Sequence, residues 1–210
     1  MSENNLVYFV NSKMYINVTN LCTCKCLFCL RDISSEVEGV NMWIDKQSAK
    51  AKDIIDILKE KKALIGNEIT FCGYGEPLIE LDTVKEVAKF IKENFPNVKI
   101  RVNTNGHANL VHKRNVVPEL KGLIDSFSVS LNAQNAKLYK KITRCCYDEK
   151  IGYNGMLDFV KELVKEDIDT TMSVVSGYKK ARINVQECEK IAHDLGAKFR
   201  VREYLENGYS

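Results

Sequence analysis

Strand-like and helix-like segments alternate along the whole chain, and the strand-like ones are two-faced. Strands are expected over Met14–Thr19, Glu68–Cys72, Val98–Asn103, Asp125–Leu131, Thr170–Val175 and Ala197–Tyr204. Helical periodicity fills the gaps at Lys46–Lys62, Leu81–Asn94, Val117–Gly122, Asn135–Ile142 with Gly155–Glu166, and Ile183–Leu195. Repeated strand–helix–strand units imply right-handed crossovers and a parallel sheet. In a closed or doubly wound sheet such strands read as continuous apolar runs. Here Ile69 and Phe71 alternate with Thr70 and Cys72, and Val98, Ile100 and Val102 with Lys99, Arg101 and Asn103. Phe127, Val129 and Leu131 alternate with Ser126, Ser128 and Ser130, and Phe199 and Val201 with Arg200 and Arg202.

One face of every strand therefore packs on helices, and the other is polar and free to line a cavity. The fold class that follows is α/β: an incomplete, splayed parallel β/α barrel of about six strands. Its helices lie outside, and its site lies at the C-terminal strand ends. Leu6–Val10, followed by Asn-Ser-Lys, is expected to form an N-terminal hairpin arm on the first strand. An antiparallel sheet with one solvated face would alternate in the same way, but the intervening helices argue against it. Residues 1–210 read as a single domain, with no linker or low-complexity tract.

Thirty-one basic and 28 acidic residues are spread evenly, for a net charge of +3. That gives no direct nucleic-acid signal. No apolar run is long enough for a membrane span, and the first twenty residues lack a secretory pattern. The expectation is a cytoplasmic protein, in which clustered cysteines are metal ligands more often than disulfides.

Four of the eight cysteines lie in Asn20-Leu21-Cys22-Thr23-Cys24-Lys25-Cys26-Leu27-Phe28-Cys29, directly after the first strand. Cys22, Cys26 and Cys29 offer three thiolates to a four-iron cubane and leave one iron open for a reactant. Two other readings stay open at this point. All four cysteines could close a structural zinc or cluster site, although no second knuckle follows. Cys26 and Cys29 could be a redox dithiol, although the surroundings are not thioredoxin-like.

The loop resembles the signature of the radical S-adenosylmethionine (SAM) superfamily, C-x3-C-x-aromatic-C, with Phe28 at the aromatic position. The second strand ends in Cys72-Gly73-Tyr74-Gly75-Glu76-Pro77-Leu78, where that family carries a Gly-Gly-Glu motif. The resemblance implies a 4Fe–4S cluster on the three cysteines. It also implies SAM contacts from the Phe28 backbone and from Gly73, Tyr74, Gly75 and Glu76, the last as partner of the methionyl ammonium. Asn103 and Asn105 on the third strand, Ser130 and Asn132 on the fourth, and Arg202 on the sixth are further candidates to contact SAM or substrate.

The implied reaction is reductive cleavage of SAM to a 5′-deoxyadenosyl radical, which abstracts hydrogen from a substrate that the sequence does not identify. An external one-electron donor of flavodoxin or ferredoxin type is the implied partner. Within the superfamily, the start Tyr-x-Asn-x-Thr-Asn-x-Cys and the turn G-Y-G-E-P-L look most like the compact TatD-associated radical SAM proteins, with a possible TatD-family hydrolase in association. 7-Carboxy-7-deazaguanine synthases and glycyl-radical-enzyme activases are alternatives, and a non-catalytic iron–sulfur sensor is a further one. Cys145 and Cys146 are expected in an unremarkable loop. His107, His112 and His193, each isolated in sequence, are expected on the surface or in turns.

Overall fold

In the computed structural model, which describes residues 5–37, 39–178, 181–205 and 208–209, the alternation becomes one main sheet. Its strands are β1 (Val7–Val10), β2 (Lys13–Ile16), β5 (Glu68–Phe71), β6 (Lys99–Thr104), β7 (Ser126–Ser130), β8 (Asp169–Ser176), β9 (Lys198–Leu205) and β10 (Gly208–Tyr209). A separate ribbon pairs β3 (Glu36–Val37) with β4 (Val40–Asn41). The six strands expected from the sequence, β2 and β5 to β9, pair in parallel. β1 folds back antiparallel on β2, as the hairpin arm requires.

Spatial order follows chain order, β1-β2-β5-β6-β7-β8-β9-β10. Right-handed crossovers taken in one direction put every connecting helix on the same face. That separates a partial barrel from a doubly wound sheet, which reverses direction and covers both faces. Among the described residues β9 does not pair with β2, so the barrel stays open.

The covered face holds the core. Ile69, Phe71, Ile100, Val102, Phe127, Val129, Met172 and Val174 are buried. They lie under α1 (Ala51–Glu60), α2 (Leu81–Asn94), α6 (Glu149–Lys165) and α7 (Val185–Asp194). Those helices contribute Ile54 and Leu58, Val84 and Ile91, Phe159 and Leu163, and Cys188. Phe127 meets Phe159 edge-on, with ring centroids 5.9 Å apart. Truncating either ring to Ala is expected to cost about 3–5 kcal/mol.

Three expectations need correction. The helix foreseen from Lys46 begins at Ala51, because the preceding segment runs extended along the chain that follows β2. There Asn20 N donates to Gln47 O and Ala49 N to Val18 O, both at 2.8 Å. The final helix before β8 starts at Glu149 rather than Gly155, which shortens the loop carrying Cys145 and Cys146. On β9 the apolar face is only partly covered: Phe199 is half-buried and Val201 is 40% exposed, although α7 packs on this edge of the sheet.

Candidate functional site

The cysteine loop leaves β2 at the C-terminal edge of the sheet and is fastened by its backbone. α5 (Ala136–Thr143) ends nearby, and the last carbonyls of a helix have no partners within it. Here the loop supplies them: Lys25 N donates to Thr143 O at 2.9 Å and Leu27 N to Ile142 O at 2.8 Å. Cys146 N returns a bond to Thr23 O at 2.8 Å. Cys22, Cys26 and Cys29 remain partly exposed, whereas Cys24 is buried. The Cys24 Sγ lies 3.9 Å from His107 Nδ1 and 3.7 Å from Asn105 Nδ2, behind the loop.

The Cys22 thiol pKa is raised by its bond with Cys24 and by burial, and the Cys29 pKa is raised by burial against the pull of Arg31. Phe28 is buried, with its ring edge-on to Tyr178 at 5.9 Å.

The glycine turn after β5 presses against this loop. A β-carbon on Gly75 would stand 2.1 Å from Thr19 O and 2.6 Å from Leu21 O, so only glycine fits there. Glu76 N then donates to Leu21 O at 2.7 Å. At Gly73 a β-carbon would meet Asn17 Oδ1 at 2.1 Å. The Tyr74 side chain turns away from the cysteines, donating to Ser34 O at 2.6 Å and packing edge-on with Trp43. Only its backbone is left to face the loop side.

The Glu76 side chain is 3% exposed and ties three segments together. Its Oε1 accepts from Leu78 N at 3.2 Å and Thr104 Oγ1 at 2.7 Å, and its Oε2 accepts from Asn105 N at 2.6 Å. Burial pushes its pKa up to about 7 against those bonds. The carboxyl is thus first a brace between β5 and β6, and Oε2 keeps one acceptor position beyond its bond to Asn105.

Asn105 reaches the loop directly: its Nδ2 donates to Thr23 Oγ1 at 2.8 Å and lies 3.7 Å from Cys22 Sγ. Asn103 lies beside Cys72 one layer deeper, and its amide favours the thiolate against the effect of burial, which raises the Cys72 pKa. Ser130 ends β7, and Asn132, just beyond it, is buried with φ +61° and donates its N–H to Ser173 O at 3.2 Å. Arg202 points inward from β9, but its Nη2 lies 3.3 Å from Ser128 Oγ, deeper than the cysteine loop.

His107 overturns the expectation of a surface or turn residue. It is fully buried, and its Nδ1 lies 2.9 Å from Thr23 Oγ1 while its Nε2 lies 3.1 Å from Gly152 O and 2.9 Å from Tyr139 Oη. A carbonyl only accepts, so Nε2 carries the proton and Nδ1 accepts from Thr23. Burial pulls the His107 pKa down to about 4. The chain Asn105–Thr23–His107–Gly152 therefore links β6, the cysteine loop and α6. Cys145 and Cys146 lie in the loop between α5 and α6, as expected: Cys146 is exposed, while Cys145 is 2% exposed and packs into the same wall, where a β-carbon on Gly152 would sit 2.7 Å from its sulfur. His112 donates from Nε2 to Leu78 O at 2.8 Å, and His193 is exposed as expected.

The residues present fit a cluster and SAM. Three partly exposed thiols share one loop, and a buried Arg31 Nη1 without a hydrogen-bond partner among the described residues lies beside Cys29. Among those residues no three ligand side chains converge on a point, as one metal ion would need. A cubane binds its thiolates on separate irons and makes no such demand.

Comparison with known proteins agrees. The model of the Radical SAM superfamily matches residues 16–194. The "FeMo cofactor biosynthesis protein NifB" of Methanocaldococcus infernus is 28% identical over 169 residues, 79% of this chain and 54% of that protein. The "Probable GTP 3',8-cyclase" of Methanocaldococcus jannaschii is 25% identical over 195 residues, 90% of this chain and 58% of that protein. The chain thus spans little more than half the length of these relatives. Among solved structures, Streptococcus suis SuiB bound to S-adenosylmethionine superposes with a TM-score of 0.66 at 18% identity, covering 91% of this chain and 40% of that one. The anSMEcpe structure with bound AdoMet gives 0.63 at 16% identity, covering 91% of this chain and 51% of that one. With its three-cysteine loop, its glycine–glutamate turn and a family match over most of its length, the chain belongs to the radical SAM superfamily, whose members bind a 4Fe–4S cluster and SAM.

Proposed function

We propose that the chain is an enzyme that holds a 4Fe–4S cluster on Cys22, Cys26 and Cys29, binds SAM against the Gly73–Glu76 turn, and acts on a substrate lying on the concave face of the sheet. The observation that carries this reading is the contact between the two motifs: Gly75 lies against the Thr19 and Leu21 carbonyls, and Glu76 N bonds Leu21. A turn with no ligand to serve has no need to meet a cysteine loop backbone to backbone.

When bound, the cluster and SAM supply a 5′-deoxyadenosyl radical that takes a hydrogen atom from the substrate. The chain's own residues position and enclose. Cys22, Cys26 and Cys29 are the cluster ligands, and Cys24, buried against His107, is not. The Gly73–Gly75 backbone and the free acceptor position of Glu76 receive the methionyl ammonium. The Phe28 backbone, Asn105, Ser130 and Asn132 border the remaining SAM surface. An external flavodoxin- or ferredoxin-type donor supplies the electron. No helix among the described residues is long and apolar enough to cross a membrane, which supports action in the cytoplasm.

The Tyr15-x-Asn17-x-Thr19-Asn20-x-Cys22 stretch and the G-Y-G-E-P-L turn favour the compact TatD-associated group, and with it a TatD-family hydrolase as partner, over a deazaguanine synthase or a glycyl-radical-enzyme activase. The relatives carry names from metallocofactor assembly to nucleotide cyclisation, so they select no substrate. The test is anaerobic reconstitution, reduction and incubation with SAM. Slow formation of 5′-deoxyadenosine and methionine is expected. A loaded, reduced chain that leaves SAM intact would point instead to an iron–sulfur sensor.

A further inference from the structure

The deeper half of the concave face carries charge that cluster and SAM binding leave unused. Arg101 lies on β6 two residues before Asn103, in register with Ser126 of β7. Arg202 enters from β9 and donates from Nη2 to Ser128 Oγ at 3.3 Å. Between them Cys72 lies beside the Asn103 side chain, and both guanidinium groups lie close enough to oppose the effect of burial on the Cys72 thiol and the Tyr15 hydroxyl.

Three polar atoms on this face are buried with no hydrogen-bond partner among the described residues: Nε of Arg101, Oδ1 of Asn103 and Oδ1 of Asn17. Leaving such a group unpaired is unfavourable, and a ligand that bonds it relieves that penalty. The set has a definite chemistry: a cation that seeks an acceptor stands beside two carbonyl oxygens that seek donors. Glu76, the carboxyl that Cys72 also feels, is already engaged by Leu78, Thr104 and Asn105.

Depth separates Arg101 and Arg202 from the cofactor end, to which Asn17 belongs through its contact with Gly73. Asn105 is the β6 position that touches the cysteine loop. Arg101 lies four residues before it, which at about 3.3 Å per residue is roughly 13 Å down the strand. We infer that Arg101 and Arg202 form a subsite for an anionic group of the substrate, a carboxylate or phosphate, with the Asn103 amide receiving a neighbouring hydroxyl or N–H. This deepens the proposed function and rests on its assignment of substrate to the concave face. Guanidinium is suited to the task, since its planar fork pairs with either oxyanion in a bidentate manner.

The test uses the full chain with its cluster reconstituted, and inorganic phosphate and acetate as probes. Probe affinity is read from phosphorus and carbon NMR titrations, and SAM affinity from calorimetry on the same samples. Binding of either probe to the parent is expected, with at least about a tenfold loss in Arg101→Gln and in Arg202→Gln. Arg101→Lys should keep part of the affinity, and SAM affinity should stay within about twofold throughout. If Arg101→Gln does not load the cluster, Arg202→Gln and Arg101→Lys carry the comparison. Equal probe binding by parent and variants, or none by the parent, overturns the subsite. A parallel loss of probe and SAM affinity also overturns it, because the arginines would then hold the SAM carboxylate. A parent that binds no SAM refutes the proposed function instead, and the probe titration still decides the subsite.

Discussion

Gly75 stands so close to Thr19 that a β-carbon on it would lie 2.1 Å from the Thr19 carbonyl oxygen. The contact joins the end of β5 to the root of the cysteine loop, and neither partner can yield, because both are backbone. Gly75→Ala should therefore displace the loop. A loss of about 1–3 kcal/mol, toward the upper end because both partners are backbone, is expected from overpacking of this kind, together with poor iron loading. Denaturant unfolding and an iron assay check both, and a variant that loads and unfolds like the parent would mean that the two segments separate readily.

Cys24 lies within the cysteine cluster yet faces His107 and Asn105. Cys24→Ala is expected to keep about four irons and four sulfides per chain, while Ala at Cys22, Cys26 or Cys29 removes them. Iron and sulfide assays after anaerobic reconstitution distinguish the two groups.

His107 makes the stability of the fold depend on acid. The unfolded side chain takes up a proton near 6.5, but the folded one resists until about 4. Its contribution is therefore present above pH 6.5 and is lost as pH falls from there to about 4, by up to about 3 kcal/mol. Glu76 acts in the opposite sense, since its folded pKa of about 7 lies above the ordinary 4.5. The stability from its protonation is full below 4.5 and disappears as pH rises to 7. The His107 effect is thus read as a difference: His107→Asn should be less stable than the parent at pH 7, and the gap should narrow toward pH 4. A gap independent of pH would show that His107 has the same pKa in the folded and the unfolded chain.

Glu76 also sets how SAM binding responds to pH. An ammonium bound near the carboxyl favours its ionised form, so SAM affinity should rise as pH passes upward through about 7. Glu76→Gln should bind SAM more weakly and with little pH dependence. It should also be less stable, because the amide NH2 would face one of the donors of Leu78, Thr104 and Asn105. Calorimetric titration across pH 6–8 (roughly one unit either side of the midpoint) checks the first point, and a flat profile in the parent would place the ammonium elsewhere.

The sheet was legible because its information is local. Alternation at Ile69–Cys72 and Val98–Asn103 assigns each side chain to a face, and helix α2 begins and ends at Leu81 and Asn94 as its periodicity indicates. His107 was not legible, because its partners Thr23 and Gly152 lie 84 and 45 residues away. Nor are the glycines at 152 and 155 of α6, each about 1 kcal/mol less favourable than Ala in a helix, explained by local sequence. Close neighbours, Cys145 at Gly152 and Leu110 at Gly155, account for both. The 46–50 segment was misread for a related reason: its helical periodicity lost to backbone bonds with the chain that follows β2. The β3–β4 ribbon is two residues a side and too short to leave a pattern.

The central claim is that three cysteines hold a cluster whose remaining iron is open to SAM. Electron paramagnetic resonance of the reduced, reconstituted chain, recorded before and after SAM is added, tests it most directly. A cluster signal whose g values shift on addition of SAM is expected in the parent and in Cys24→Ala alike, and no signal in Cys26→Ala. A parent signal that SAM leaves unchanged, but that becomes responsive in Cys24→Ala, would contradict it, because Cys24 would then be the fourth ligand and the cluster would be closed.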